Sequence, residues 1–213
     1  MNWPDIDNQN VDLFERRPAV IEKLPRASER FEASYFFSAH HYFVQQVNDD
    51  QGFRRVAWMN WASIVALQSV EDVLKKDLNE LNLKVQWEHS KELQELNSDP
   101  LLTVFRVLRN HIVHVESHPE SVRNTTWQIQ AGTFNGDFEY FTPIDFDAVA
   151  GRRRKTDGYH VTPEMVEWFN RQAERLPAFI LTGIARRRYA DYVARFLSKH
   201  LPADGEAASA AKA

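Results

Sequence analysis

The segment from Leu101 to Glu116, LLTVFRVLRNHIVHVE, constrains the fold of this chain more than any other stretch. Its apolar side chains recur at spacings of three and four residues, as they do on one face of an amphipathic helix. These positions are Leu101, Val104, Phe105, Leu108, Ile112 and Val115. Pro100 suits the first helical turn, with Asp99 as the N-cap before it. Pro119 prevents much further extension, so the segment predicts a helix with one core-facing side.

Helical periodicity covers most of the remaining chain and is interrupted by one stretch of a different period. It predicts further helices over residues 29–48, 53–81, 87–96 and 163–200, the last of them kinked or split at Pro177. Thr126 to Gln130 instead alternates apolar and polar residues, and Asn135-Gly136 is a strong hairpin-turn dipeptide. A two-stranded hairpin is therefore predicted over about 125–142. The expected fold class is all-α, an antiparallel helical bundle with this small hairpin inserted before the last long helix.

The predicted domain organisation is simple, because 213 residues are enough for one domain with a proper core. Residues 1–26 are polar and interrupted by prolines, which predicts an extended N-terminal arm. Residues 27–202 carry the helical pattern and form the predicted domain. Residues 203–213 are small and polar, so we expect a disordered tail.

Composition excludes several classes of function. The chain contains no Cys, which rules out disulfides, thiolate metal sites and cysteine nucleophiles and fits a cytoplasmic location. Its first residues lack the basic start and apolar run of a signal peptide, and no apolar segment approaches the roughly 18 residues that span a membrane. A net charge of −4 argues against tight, non-specific nucleic-acid binding, although it permits a local basic patch.

Polar residues that could take part in catalysis lie away from the apolar stripe of the Leu101–Glu116 helix. Asn110 and His114 are four residues apart and share a face, and Arg109 lies between that face and the apolar stripe. A guanidinium and an imidazole a little over one turn apart can reach the same phosphate. Arginine supplies a fixed cation with paired donors, and histidine can exchange a proton near neutral pH.

The spacing of Arg109 and His114 is not unique in the chain. Three Arg-His pairs have this spacing: Arg106 with His111, Arg109 with His114, and Arg195 with His200. Val107 and Phe196 follow the other two arginines, whereas the polar Asn110 follows Arg109. The pattern therefore favours Arg109, Asn110 and His114 as the candidate catalytic residues.

The hexapeptide RNHIVH, residues 109–114, resembles the signature of the HEPN superfamily (higher eukaryotes and prokaryotes nucleotide-binding domain). In that signature an arginine, a polar residue and then a histidine occur late in a long bundle helix. The resemblance implies an all-α domain that dimerises so that two motifs face one cleft. Many members cleave RNA without metal, in toxin–antitoxin, anti-phage and RNA-processing systems.

Carried onto this chain, the resemblance assigns three roles. Arg109 would bind the scissile phosphate, His114 would act as general base or acid in chemistry at the ribose 2′-hydroxyl, and Asn110 would orient both. The implied partners are an RNA substrate, a second copy of the chain, and an antitoxin or defence protein, and the implied chemistry needs no metal. No P-loop or other nucleotide-binding signature is present, so no cofactor is expected, and the lack of a long apolar segment predicts no membrane partner. The hairpin and the arginine-rich loop after it are not part of the family's common core.

Three other interpretations of this helix remain open. Arg109, Asn110 and His114 can be an ordinary solvated face, or the whole domain can be a non-catalytic module that binds RNA or protein. His111, His114 and His118 also lie along one stripe, with Glu116 nearby, although their i, i+3, i+7 spacing suits zinc less well than i, i+4. Cleavage that survives EDTA would separate the HEPN-like mechanism from a metallohydrolase.

Positive charge is concentrated at two places, which are candidates for holding an RNA backbone. They are the loop cluster Arg152, Arg153, Arg154 and Lys155, and the helical cluster Arg186, Arg187 and Arg188. Solvated charge paired with the many acids is the alternative explanation for both clusters. Glu71 and Asp72 on the second predicted helix can approach Arg109 and orient it, although ordinary helix-surface acids are the simpler interpretation.

Overall fold

The computed structural model describes residues 3–7, 18–44, 50–114, 120–129, 132–147 and 160–202. Within these ranges it gives the backbone alone for residues 38–44, 50–58, 110–114, 120, 127–129 and 132–136. The described chain is mostly helical, with one small antiparallel sheet. Its elements are a 3₁₀ helix Ala19–Lys23, α1 Pro25–Val44, α2 Asp50–Glu80, α3 Lys84–Glu88, α4 Lys91–Ser98, α5 Pro100–His114, β1 Glu120–Ile129, β2 Gly132–Phe141, α6 Pro163–Arg175 and α7 Ala178–His200.

The sequence-predicted helices are present with adjusted boundaries. The short helix predicted over 87–96 is two helices, α3 and α4, because Ser90 interrupts it and caps α4 by accepting from the Leu93 N–H. The split predicted at Pro177 is confirmed between α6 and α7. The predicted tail over 203–213 and residues 1–2 and 8–17 of the predicted N-terminal arm lie outside the described residues. The prediction of an extended arm is wrong for its last part, because Ala19–Lys23 form the 3₁₀ helix and α1 begins at Pro25. Within the described part of the chain, no helix is long and apolar enough to cross a membrane.

Local chemistry explains where several helices begin and end. Thr162 caps α6 by accepting from the Met165 N–H, and Pro163 occupies the first turn as predicted. At the end of α2, Asn82 adopts a left-handed φ of 57°. This conformation lets the Leu83 N–H donate to the Leu78 carbonyl. A hydrogen bond of this kind belongs to the Schellman motif, which commonly ends helices.

Helix α5 is central to the core, as its sequence pattern predicts. Leu101, Val104, Phe105 and Leu108 are all at most 2% exposed. The ring of Phe105 lies 5.9 Å from those of Phe141 and Phe169, and Trp61 lies 5.4 Å from Phe141. Edge and tilted geometries of this kind add stabilisation beyond burial of apolar area. This aromatic cluster fixes α5 against α2, β2 and α6.

The hairpin is anchored to the helices at the end of β2. Phe141 enters the aromatic cluster, Phe138 stacks on Phe179 of α7 at 5.8 Å, and Tyr140 is also buried. Between them the carboxylate of Glu139, only 4% exposed, accepts a 2.9 Å hydrogen bond from the Asn60 side chain of α2. The hairpin is therefore part of the folded core at this end.

The predicted position of the hairpin turn is wrong. Asn135 and Gly136 lie inside β2, where they pair with Thr126 and Thr125. The register runs from Glu120 opposite Phe141 to Ile129 opposite Gly132, so the described ladder extends past Asn135-Gly136 by three further residues of β2. A turn at Asn135-Gly136 would change every partner in this ladder, since register and turn position are linked.

Residues 3–7 lie on α6, far away in sequence. The Ile6 N–H donates to Gln172 Oε1 at 3.0 Å, and the Gln172 amide donates to Asp5 at 2.7 Å. The Trp168 indole N–H donates to the Pro4 carbonyl at 3.1 Å, and the Ile6 side chain is buried. Part of the predicted arm is therefore fixed to the helical domain by hydrogen bonds and apolar packing.

Candidate functional site

Arg109 lies on α5 at the edge of the buried stripe, where the sequence pattern places it. Its side chain is 31% exposed, and its guanidinium donates to Asp72 Oδ2 of α2 at 2.9 Å. Asp72 is 59% exposed, so this pair lies at the surface and contributes little to stability. A charge-assisted bond of this geometry restricts the orientation of the guanidinium and engages one of its several N–H donors.

Arg106, one helical turn before Arg109, has a different environment. It is 4% exposed, with its Nε 3.2 Å from Glu71 of α2 and a terminal nitrogen donating to Asn97 of α4 at 2.7 Å. Glu71 and Asp72 thus hold two successive arginines of α5. Arg106 is thus much less accessible to solvent than Arg109.

The other two members of the motif are described only by their backbone. Asn110 and His114 lie within the last five residues of α5, so their Cα atoms follow Arg109 along the same helix. Their side-chain positions lie outside the described residues, as do the side chains of the alternative histidine stripe. Among the residues that are described, no group of three or more His, Asp or Glu side chains is arranged to hold a metal ion.

The helical arginine cluster does not form one exposed surface. Arg186 is 7% exposed, and its guanidinium lies over the Tyr35 ring at 4.8 Å. Burial lowers the pKa of Arg186 to about 10, so the group remains charged at neutral pH. Arg188 pairs with Asp99 at 3.1 Å, and Arg187, which is largely exposed, is 3.9 Å from Asp191. The loop cluster over 152–155 lies outside the described residues.

Acids of α4 and the residue after it face basic residues of α7 along the same side of the molecule. Arg195 donates to Glu95 at 2.6 Å, Lys199 pairs with the buried Glu92, and Arg188 pairs with Asp99. These contacts hold α4 against α7. The positive charge of α7 is thus largely compensated by neighbouring carboxylates.

Sequence patterns gave no indication of two further polar features of the helical domain. Gln68 of α2 is 2% exposed, and neither polar atom of its side chain has a hydrogen-bond partner among the described residues. Arg106, Asn97 and Tyr189 meet at a small cavity. Both features depend on contacts between distant helices, which periodicity along a single segment cannot reveal.

Comparison with family models, with curated proteins and with solved structures finds no match to this chain.

Proposed function

We propose that this chain is a HEPN-like, metal-independent endoribonuclease. The observation that carries the proposal is Arg109, a partly exposed guanidinium oriented by Asp72 at 2.9 Å on a helix whose residues 100–108 are all buried. The motif RNHIVH on the same helix supplies the histidine that such chemistry needs. The resemblance to HEPN proteins rests on this motif and on the largely helical fold.

The proposed reaction needs a phosphate-binding cation and a group that transfers protons. The ribose 2′-oxygen attacks the adjacent phosphorus and loses its proton, while the bond to the 5′-oxygen breaks and that oxygen gains a proton. The products are a 2′,3′-cyclic phosphate and a 5′-hydroxyl. Arg109 binds the phosphate and stabilises its developing negative charge, and His114 performs one of the two proton transfers. Asn110 orients these groups.

A second copy of the chain is part of this proposal. HEPN-like sites bring two motifs to one cleft, so Arg109 and His114 from each protomer would contribute to a homodimeric site. The cellular role that fits such an activity is RNA processing, a toxin controlled by an antitoxin, or anti-phage defence. Light scattering on the purified chain tests the oligomeric requirement, because a strict monomer cannot build a paired site.

Cleavage of structured RNA in EDTA tests the activity. The expected result is cleavage by wild type that Arg109→Ala and His114→Ala each abolish. Arg171→Ala is a matched control, since Arg171 is also a partly exposed arginine paired with one helix-surface acid, Glu167 at 3.2 Å. His89→Ala controls for the loss of an exposed histidine. Cleavage that survives both motif substitutions would refute the proposal.

The second candidate is a non-catalytic HEPN-like module that binds RNA or a partner protein. The Arg109–Asp72 pair favours this non-catalytic candidate, because the carboxylate already occupies one side of the guanidinium. RNA binding that is lost in Arg109→Ala, without cleavage by wild type on any RNA, would support this candidate. The salt dependence of that binding would report how many phosphate contacts are made.

A further inference from the structure

A partly enclosed cavity of about 140 Å³ lies between α2, α3, α4, α5 and α7. A water molecule occupies about 30 Å³ in the liquid, so the cavity can hold a ring-sized group rather than a single ion. Its apolar walls include Trp87, Tyr189, Leu74 and Leu93. Trp87 and Tyr189 are each 2% exposed and therefore fixed in place. These walls suit a flat, partly apolar group.

Hydrogen-bond donors and hydrogen-bond acceptors also line this cavity. Arg106, Lys75 and the Asn97 amide offer donors, and Glu71, Glu88 and the Asn97 oxygen offer acceptors. Arg106 is fixed by its contacts to Glu71 at 3.2 Å and to Asn97 at 2.7 Å. Two cations and two carboxylates leave the lining without net formal charge. This balance favours a neutral ligand with both donors and acceptors over a free anion or a cation.

The cavity adjoins the Arg109–Asp72 pair along two helices. Arg106 precedes Arg109 by three residues on α5, a rise of about 4.5 Å, and Glu71 precedes Asp72 directly on α2. A group in the cavity and a phosphate at Arg109 would thus be separated by about one turn of helix. This separation is comparable with the distance between the base and the phosphate of a single nucleotide.

We propose that this cavity binds one nucleobase of the RNA, beside the phosphate held by Arg109. The proposal rests on the proposed function for its substrate class and adds a basis for sequence preference. Unstacked bases of single-stranded RNA are recognised by contact with aromatic side chains and by hydrogen bonds to their edges, and the cavity offers both kinds of group. The site therefore discriminates among bases, in contrast to binding through phosphates alone.

Calorimetric titration of the full-length chain with the four ribonucleoside 3′-monophosphates, and with ribose 3-phosphate as the abasic probe, tests the proposal. Wild type should bind at least one nucleotide tenfold or more tightly than the abasic probe. Leu93→Trp, which places a large ring in the cavity from a partly exposed position, should remove that difference. Equal binding of nucleotides and abasic probe by wild type would overturn the proposal.

Substitutions at the exposed rim keep the test independent of whether Leu93→Trp folds. Lys75→Ala and Glu88→Gln alter two exposed side chains that line the cavity. Each substitution should weaken the binding of the preferred nucleotide several-fold. Lys76→Ala is the matched control, because Lys76 is an exposed neighbour on α2 that does not line it. Equal effects of Lys75→Ala and Lys76→Ala would count against a base in this cavity.

Failure of the inference and failure of the proposed nuclease give different results. RNA cleavage with no nucleotide preference over the abasic probe would remove the base site and leave the nuclease. A clear nucleotide preference that Leu93→Trp abolishes, without any RNA cleavage, would keep the base site and assign it to a non-catalytic RNA-binding module. Arg109→Ala should weaken the binding of the nucleotide and of the abasic probe by the same factor, because both ligands carry the phosphate.

Discussion

Arg188 of α7 donates to the carboxylate of Asp99 at 3.1 Å, and the same carboxylate caps α5. Asp99 Oδ1 accepts from the Leu101 and Leu102 N–H groups at 2.9 and 3.2 Å, and its other oxygen accepts from the Tyr192 hydroxyl at 3.3 Å. Asp99 is 6% exposed, so these contacts compensate for the burial of its charge. One side chain thus sets both the start of α5 and its position against α7.

Substituting Asp99 should separate its capping role from its charge. We expect Asp99→Ala to lower the free energy of unfolding by about 1–2 kcal/mol, because the first turn of α5 loses its acceptor. Asp99→Asn keeps a capping oxygen and should cost clearly less. Urea denaturation followed by circular dichroism measures both values. An equal loss in the two variants would show that the contact with Arg188, rather than the cap, dominates.

The Gln68 amide, which has no hydrogen-bond partner among the described residues, predicts a stabilising substitution. A buried polar group without a hydrogen bond costs about 1–3 kcal/mol, and methionine has a similar size and flexibility without the amide. We expect Gln68→Met to raise the midpoint of urea unfolding. Gln94→Met, at an exposed position of α4, is the matched control and should change the unfolding free energy by less than about 0.5 kcal/mol. A destabilised Gln68→Met protein would contradict this interpretation.

Removing the charge of Asp72 should alter RNA chemistry more than stability. In Asp72→Asn the guanidinium of Arg109 loses its charged partner, so phosphate binds more tightly while the orientation of the guanidinium is less restricted. We expect a lower KM and a several-fold lower kcat for RNA cleavage. The surface pair contributes at most about 1 kcal/mol, so urea unfolding should change little.

Glu167→Gln is the control for Asp72→Asn, since it removes one acid from the comparable Arg171 pair on α6. It should leave both kinetic constants unchanged. Wild-type KM and kcat in Asp72→Asn would show that this carboxylate does not position Arg109 for catalysis.

Stability should fall at alkaline pH partly because of Tyr192. Burial and the nearby Asp99 carboxylate raise the pKa of Tyr192 to about 12, above its ordinary value of 10.0. The unfolded chain therefore loses this proton first, and the contribution of Tyr192 to stability is complete below pH 10 and declines as pH rises toward 12. Urea unfolding between pH 8 and about 11 measures the decline.

Tyr192→Phe isolates this effect, because both proteins share every other titrating group. The difference in unfolding free energy between wild type and Tyr192→Phe should be constant below about pH 9 and should shrink above pH 10. A difference that stays constant across the whole range would show that Tyr192 titrates alike in the folded and unfolded states.

The sequence predicted α5 well because the signals that define it are local. Asp99 and Pro100 mark its start, and the residues that form its apolar stripe and have described side chains are buried. The prediction of the hairpin turn was wrong because Asn135-Gly136 has only a local preference for a turn. That preference competes with long-range packing. The observed register instead brings Phe138 to α7 and Phe141 to the aromatic cluster.

The candidate site was predictable only in part for the same reason. A position on the polar flank of a helix is a local property, so Arg109 is identifiable as a candidate. Asp72 is one of two acids that the sequence allows near Arg109, although an ordinary surface acid is the simpler interpretation of that residue. The cavity at Arg106 combines Trp87, Asn97 and Tyr189 from three further helices. Its assembly depends on how those helices pack, which the periodicity of each helix does not determine.

The attachment of residues 3–7 to α6 has a consequence for folding during synthesis. Pro4, Asp5 and Ile6 leave the ribosome early, but Trp168 and Gln172, which hold them, are made more than 160 residues later. Residues 4–6 therefore cannot reach their native position until α6 has emerged. Contacts between such distant parts of a chain form late and slow its folding. Residues 3–7 are thus among the last described parts of the chain to reach a native position.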